Sequence, residues 1–150
     1  MDRLPKECFV ALAAIGWADG NLDPEEAREL LRAARAYGVE EADVRALAAR
    51  FASPVELGDI DRHALSPWER LLTYALATWL TRVDGVVTAD EQRMLDRLGV
   101  ALDLPFAIRC RAEAATRAAA EGDVLPSRFD FASLARVLRE RLPHLAALRT

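Results

Sequence analysis

Lysine occurs once, at Lys6, in a chain whose 20 basic residues are otherwise arginine; histidine and cysteine occur twice each. Each shortage removes a class of function. Two cysteines in 150 residues cannot staple a fold. Cys8 and Cys110, both set in apolar helical stretches, therefore read as buried small hydrophobes in a reducing compartment. His63 lies in a polar connector and His144 follows Pro143, so both read as exposed bystanders rather than catalytic bases. No HExxH, CxxC or glycine-rich phosphate loop is present, and no enzymatic activity is expected.

Long hydrophobic runs are missing too. The longest, Cys8–Ala18 and Leu71–Leu80, fall short of the roughly 20 residues a transmembrane helix needs. The start Met1–Glu7 does not have the shape of a signal peptide, so a cytoplasmic protein is expected. Positive charge is nowhere concentrated. Residues 1–65 carry 13 acids against 8 bases and residues 101–150 carry 6 against 8, within a net charge of −4. Nucleic-acid binding, which needs a basic face, is not expected; the acidic front is compatible with a cation or a basic partner and equally with an ordinary solvated surface.

What the chain does have is helical periodicity and no β-type alternation. Cys8–Trp17 is apolar on every side, the mark of a central buried helix, here expected over 5–18. A second helix starts at Asp23 and ends at Gly38, and a third runs over about 41–52 with Val44, Leu47, Ala48 and Phe51 on one face. Residues 53–65 read as a connector. Ser66-Pro67-Trp68-Glu69 is a helix start with a serine cap and proline at the first position. The fourth helix carries Leu71, Leu72, Tyr74, Leu76 and Trp79 and is the second buried element. A fifth is expected to end at Gly99; a sixth opens after Pro105 with the small Ala112 and Ala115 in step. A seventh, over about 130–142, carries Phe131, Leu134 and Leu138. The expected fold is all-α, one domain over 1–150, with two central antiparallel helices.

The helices fall into two halves, 5–52 and 66–121, because one motif occurs twice. Ala18-Asp19-Gly20-Asn21-Leu22-Asp23-Pro24-Glu25-Glu26 is echoed 65 positions on by Val83-Asp84-Gly85-Val86-Val87-Thr88-Ala89-Asp90-Glu91. Two readings fit each loop. In the mechanical one, Gly20 and Gly85 allow the turn and Leu22 and Val87 tuck back as apolar plugs. Asp23 caps the second helix, and Thr88 with Glu91 forms a capping box. In the other, the acids hold a cation. With Gly20 at the sixth position of an EF-hand loop, Asp19 falls fifth and Glu26 twelfth, as do Asp84 and Glu91 around Gly85. The first and third positions are then Ile15 and Trp17, or Leu80 and Arg82, which excludes an ordinary EF-hand and leaves a looser site.

These paired segments, Ile15-Gly16-Trp17-Ala18-Asp19-Gly20 to Glu26 and Leu80-Thr81-Arg82-Val83-Asp84-Gly85 to Glu91, resemble the TerB-like family. That family includes tellurite-resistance protein B and the N-terminal domain of a DnaJ-like co-chaperone. Tyr37-Gly38-Val39 and Leu98-Gly99-Val100 fit the same pattern, and the resemblance covers about residues 5–121. It implies an all-helical fold of pseudo-twofold halves and a bacterial stress-response (tellurite-resistance-like) setting. It also implies calcium or magnesium binding by acids at the loops, which by position are Asp19, Asp23, Glu26, Asp84 and Glu91.

Three functions are therefore carried forward. The first is a non-enzymatic domain that binds a divalent cation or a protein, a second copy of the chain included, through its acidic loops. The second is a helical scaffold with a groove between the halves, rimmed by Leu57, Ile60 and Leu65. The third is a small-ligand or lipid carrier with Phe9, Trp17 and Trp79 around a cavity, although helical spacing favours core packing for Trp17, Trp68 and Trp79 over a ligand slot.

Overall fold

The computed structural model describes residues 3–17, 22–83, 88–120 and 131–143. Seven α-helices and no strands occur among them: α1 (Lys6–Trp17), α2 (Pro24–Ala36), α3 (Glu41–Phe51), α4 (Pro67–Val83), α5 (Ala89–Ala101), α6 (Phe106–Ala120) and α7 (Phe131–Arg141). Two 3₁₀ turns, Leu57–Asp59 and Arg62–Ala64, shape the connector between α3 and α4.

The two helices that are apolar all round are the two that the others enclose. α1 is buried continuously from Glu7 to Ile15 and packs against α2, α3, α4 and α5. α4 is buried from Leu71 to Trp79 and packs against α1, α5, α6 and α7. Small residues let the layers close: Ala112 and Ala115 put the α6 backbone against α4, and Ala11, Ala13 and Ala14 do the same along α1. All seven helices contribute to one hydrophobic core.

Burying α4 puts three threonines in the core, and each disposes of its own hydroxyl. Thr73, Thr78 and Thr81 donate to the carbonyls of Glu69, Tyr74 and Ala77, one turn back. Since the Thr73 proton is committed to Glu69, its oxygen accepts from the Cys8 thiol at 2.9 Å, a polar link between the two central helices. Burial pushes the Cys8 thiol up to about 12. Tyr74 donates to Glu113 Oε1 at 2.8 Å across the α4–α6 contact, and burial raises its phenol well above the usual range.

Helix starts follow the capping chemistry expected of them. Asp23 accepts from Glu25 N ahead of Pro24. Ser66 and Glu69 cap α4 reciprocally, as Thr88 and Glu91 do α5. At its other end α2 closes with Gly38 at φ +88°, Gly38 N on Arg35 O and Val39 N on Ala34 O. That pair of bonds is a Schellman motif.

The structure corrects two expectations here. α5 does not stop at Gly99. It runs to Ala101 and ends in the same Schellman pattern, with Asp103 N on Val100 O, Leu104 N on Gly99 O and Asp103 itself left-handed at φ +57°. Gly99 lies in the last turn of α5 with the Arg109 side chain of α6 laid over it: a Cβ would meet Cδ of Arg109, whose guanidinium donates to Asp96 O. Cys110 is exposed, not buried. The buried face of α6 is set by Ala112, Ala115 and Thr116, and position 110, two residues before Ala112, points about 160° away from it.

Candidate functional site

Of the acids singled out in the sequence, some are helix caps, Glu25 and Glu26 make other contacts, and the rest lie outside the described residues. Asp19, Gly20, Asp84 and Gly85 lie there. Asp23 is exposed and engaged as the α2 cap, and Glu25 pairs with Arg28 at 2.5 Å. Glu91 is held in the α5 capping box. Glu26 is half-buried and reaches back toward α1, with Oε2 within 4.0 Å of where a Cβ on Gly16 would lie. The same spot takes Leu22, 5% exposed, as the apolar plug: its Cδ1 would be 2.6 Å from that Cβ. Gly16 thus has a role the sequence did not reveal, the close approach of the second helix onto the first. Among the described residues no group of three or more His, Cys, Asp or Glu side chains is arranged to hold a metal ion.

A concavity of about 630 Å³ opens where the end of α1, the connector and α5 meet. Ala14 and Trp17 form one wall; Pro54, Val55 and Leu57 form the second; Met94, Arg97, Val100 and Ala101 form the third. Its lining is mostly apolar, and Val100 stands 67% exposed. The elements are pinned around it. Asp61 N donates to the buried Glu7 carboxylate at 3.0 Å, fastening the connector to α1, and Val55 and Leu65 anchor it in the core. Trp17 is half-buried on the groove; its Nε1–H is shut off from water and has no acceptor among the described residues. A donor left that way costs about 1–3 kcal/mol.

Of the three rim residues expected, only Leu57 lines the groove. Leu65 is buried at 3%, and Ile60 is half-buried against the core. The tryptophans divide in the same way: Trp68 and Trp79 are core residues, while Trp17 faces the concavity. Phe9 is fully buried and packs against Phe131 with the rings tilted at 42° and their centroids 6.3 Å apart.

A second, smaller concavity, about 140 Å³, lies between Leu4, Tyr37, Leu72, Phe131, Ala135 and Arg139. Its organiser is Tyr37, which the sequence marked only as a helix end. The phenol oxygen accepts from Phe131 N at 2.8 Å and Ala132 N at 3.2 Å, so a side chain from the end of α2 caps α7. Among the described residues, His63 is exposed on the connector and Cys8 is a protonated core thiol. His144 lies outside the described residues. No helix among the described residues is long and apolar enough to cross a membrane.

No family model, no curated protein and no solved structure matches this chain.

Proposed function

We propose that this chain is a non-enzymatic protein-interaction domain whose docking surface is the groove between α1, the connector and α5. The observation that carries the reading is the apolar lining, with Val100 67% exposed beside Trp17, Leu57 and Met94. Isolated exposed apolar residues are ordinary; a contiguous concave set on a rigid frame is what interaction sites are made of. The repeat supplies a reason for its place. Taking α1 with α4 and α2 with α5 as counterparts, the groove lies between a central helix of one half and a peripheral helix of the other.

A photocrosslinking amino acid at position 100 tests this in extract of the source organism, with the same group at exposed Arg136 as control. One discrete adduct at 100, lost when Met94→Glu is added and absent from the control, supports the groove. Equal adducts at both positions refute it.

A second reading keeps the TerB-like, stress-response setting: a divalent cation bound at the start of α2. Its support is the concentration of Asp23, Glu25 and Glu26 on one helical turn, directly after Asp19 in the chain. A calcium and magnesium titration followed on the Gly20 and Gly85 amides tests it. Saturable shifts that vanish in an Asp19→Asn, Glu26→Gln double variant support a site. No shift at millimolar cation leaves the acids as caps.

A further inference from the structure

We propose that the smaller concavity, between α7 and the rest of the molecule, binds a small carboxylic acid whose apolar part is about one ring in size and whose carboxylate pairs with Arg139. This site lies apart from the groove between α1, the connector and α5 and does not depend on that groove being a docking surface.

Volume and lining set the apolar part. Leu4 ahead of α1, Tyr37 at the end of α2, Leu72 of α4, and Phe131, Ala135 and Arg139 along α7 meet around the space. Tyr37 and Phe131 stack at 5.3 Å and form one fixed wall. By accepting from Phe131 N and Ala132 N, the Tyr37 hydroxyl also holds the start of α7 against the end of α2. The space, about 140 Å³, is well below the roughly 300–1,000 Å³ of pockets that take cofactors and drug-sized molecules, so a nucleotide or a lipid tail is too large for it. It is close to the engineered apolar cavity of about 150 Å³ that takes up benzene. A phenyl group or a short branched chain has that size.

Charge sets the acid. Arg139 is the charged side chain of the lining, and among the described residues no carboxylate lines the space with it. Its guanidinium lies over the Trp68 ring at 5.4 Å, and its Nε and Nη2 are shut off from water. A guanidinium stacked on a ring keeps a fork of five N–H donors in its own plane, enough to hold a ligand beside contacts within the chain. A neutral ligand filling the space would take further solvent from that cation and return no charge. A carboxylate returns two acceptor oxygens in the matching geometry. With water displaced, the pairing is less screened than an ion pair on the surface.

The test is methyl and amide NMR of the full chain titrated with benzoate and with benzamide, which has the same ring and shape but no charge. The expected result is saturable shifts of the Leu72 and Ala135 methyls, with benzoate bound about tenfold more tightly than benzamide, the scale of a hydrogen bond to a charged group. Arg139→Gln should bring the two probes level. Ala132→Leu puts a larger side chain into the lining and should abolish binding of both; thermal melts check that each variant folds. Because α7 supplies much of the lining, its opening destroys the site. The Phe131 and Ala132 amides should therefore exchange about elevenfold more slowly in benzoate at ten times its Kd. Equal affinity of the parent for benzoate and benzamide overturns the pairing with Arg139, whether or not Arg139→Gln folds. Shifts that persist in Ala132→Leu, or that spread over the exposed arginines, are adsorption of an anion and overturn the site, as does no shift at millimolar benzoate.

Discussion

Removing one oxygen atom tests how α7 is attached to the rest of the molecule. Tyr37→Phe keeps the ring, which stacks on Phe131 at 5.3 Å and 24°, and deletes the hydroxyl that accepts from Phe131 N and Ala132 N. Phe131 is 1% exposed, so its N–H has little access to water once the phenol is gone. Losing a helix cap typically costs about 1 kcal/mol, and stranding a buried donor about 1–3 kcal/mol. The neighbouring concavity of about 140 Å³ is large enough to admit a water, which favours the lower half of that range. The expected loss is about 2 kcal/mol by urea denaturation with an unchanged m-value, or about 4–8 °C in Tm. Hydrogen exchange localises it: the Phe131 and Ala132 amides should lose protection while those of α4 open only with the global decrease. A stability within about 0.5 kcal/mol of wild type, with both amides still protected, would refute the capping argument.

The two Schellman ends make an opposed pair. Gly38→Ala forces a side chain onto φ +88° and against Nε of Arg3 at 2.9 Å, and should cost roughly 1–2 kcal/mol, whereas Asp103→Gly relieves φ +57° and should gain up to about 1 kcal/mol; chemical denaturation reads both, and equal signs would refute the left-handed assignment. Thr88→Ala removes one half of the α5 capping box and should cost about 1 kcal/mol by the same assay, with no loss if Thr88 only marks the end of the loop. Because folding raises the Cys8 pKa from 9.0 to about 12, the folded state holds its proton where the unfolded state has released it, so stability should fall as pH rises from about 9 to 12, with Tyr74 acting in the same direction. Cys8→Ala should flatten that part of the pH profile, and in the native protein at pH 8 a thiol reagent should label the exposed Cys110 and leave Cys8 unmodified.

Local rules carry far in this chain because its caps are local. The bonds of Asp23, Ser66 with Glu69, and Thr88 with Glu91 are made within three residues, so spacing alone announced them. Helix faces were legible for the same reason: a 3.6-residue period put Leu30 and Ala34, Leu47 and Phe51, and Leu134 and Leu138 inward without reference to a partner. Burial on all sides of α1 and α4 followed from their composition, and with it the all-helical core.

What the sequence could not determine depends on residues far apart. Gly99 looks like a helix stop until the Arg109 side chain of α6 is seen lying over it, and the left-handed turn falls instead on Asp103, two residues before Pro105. The cap on α7 comes from Tyr37, 94 positions away from Phe131 N, and Glu7 reaches Asp61 N over 54. The groove is the extreme case: Trp17, Leu57 and Val100 lie on three elements, and only their packing makes one surface of them. Helix by helix, periodicity says which side is apolar; which apolar residue stays uncovered is set by how the helices meet, and that is a property of the tertiary structure alone.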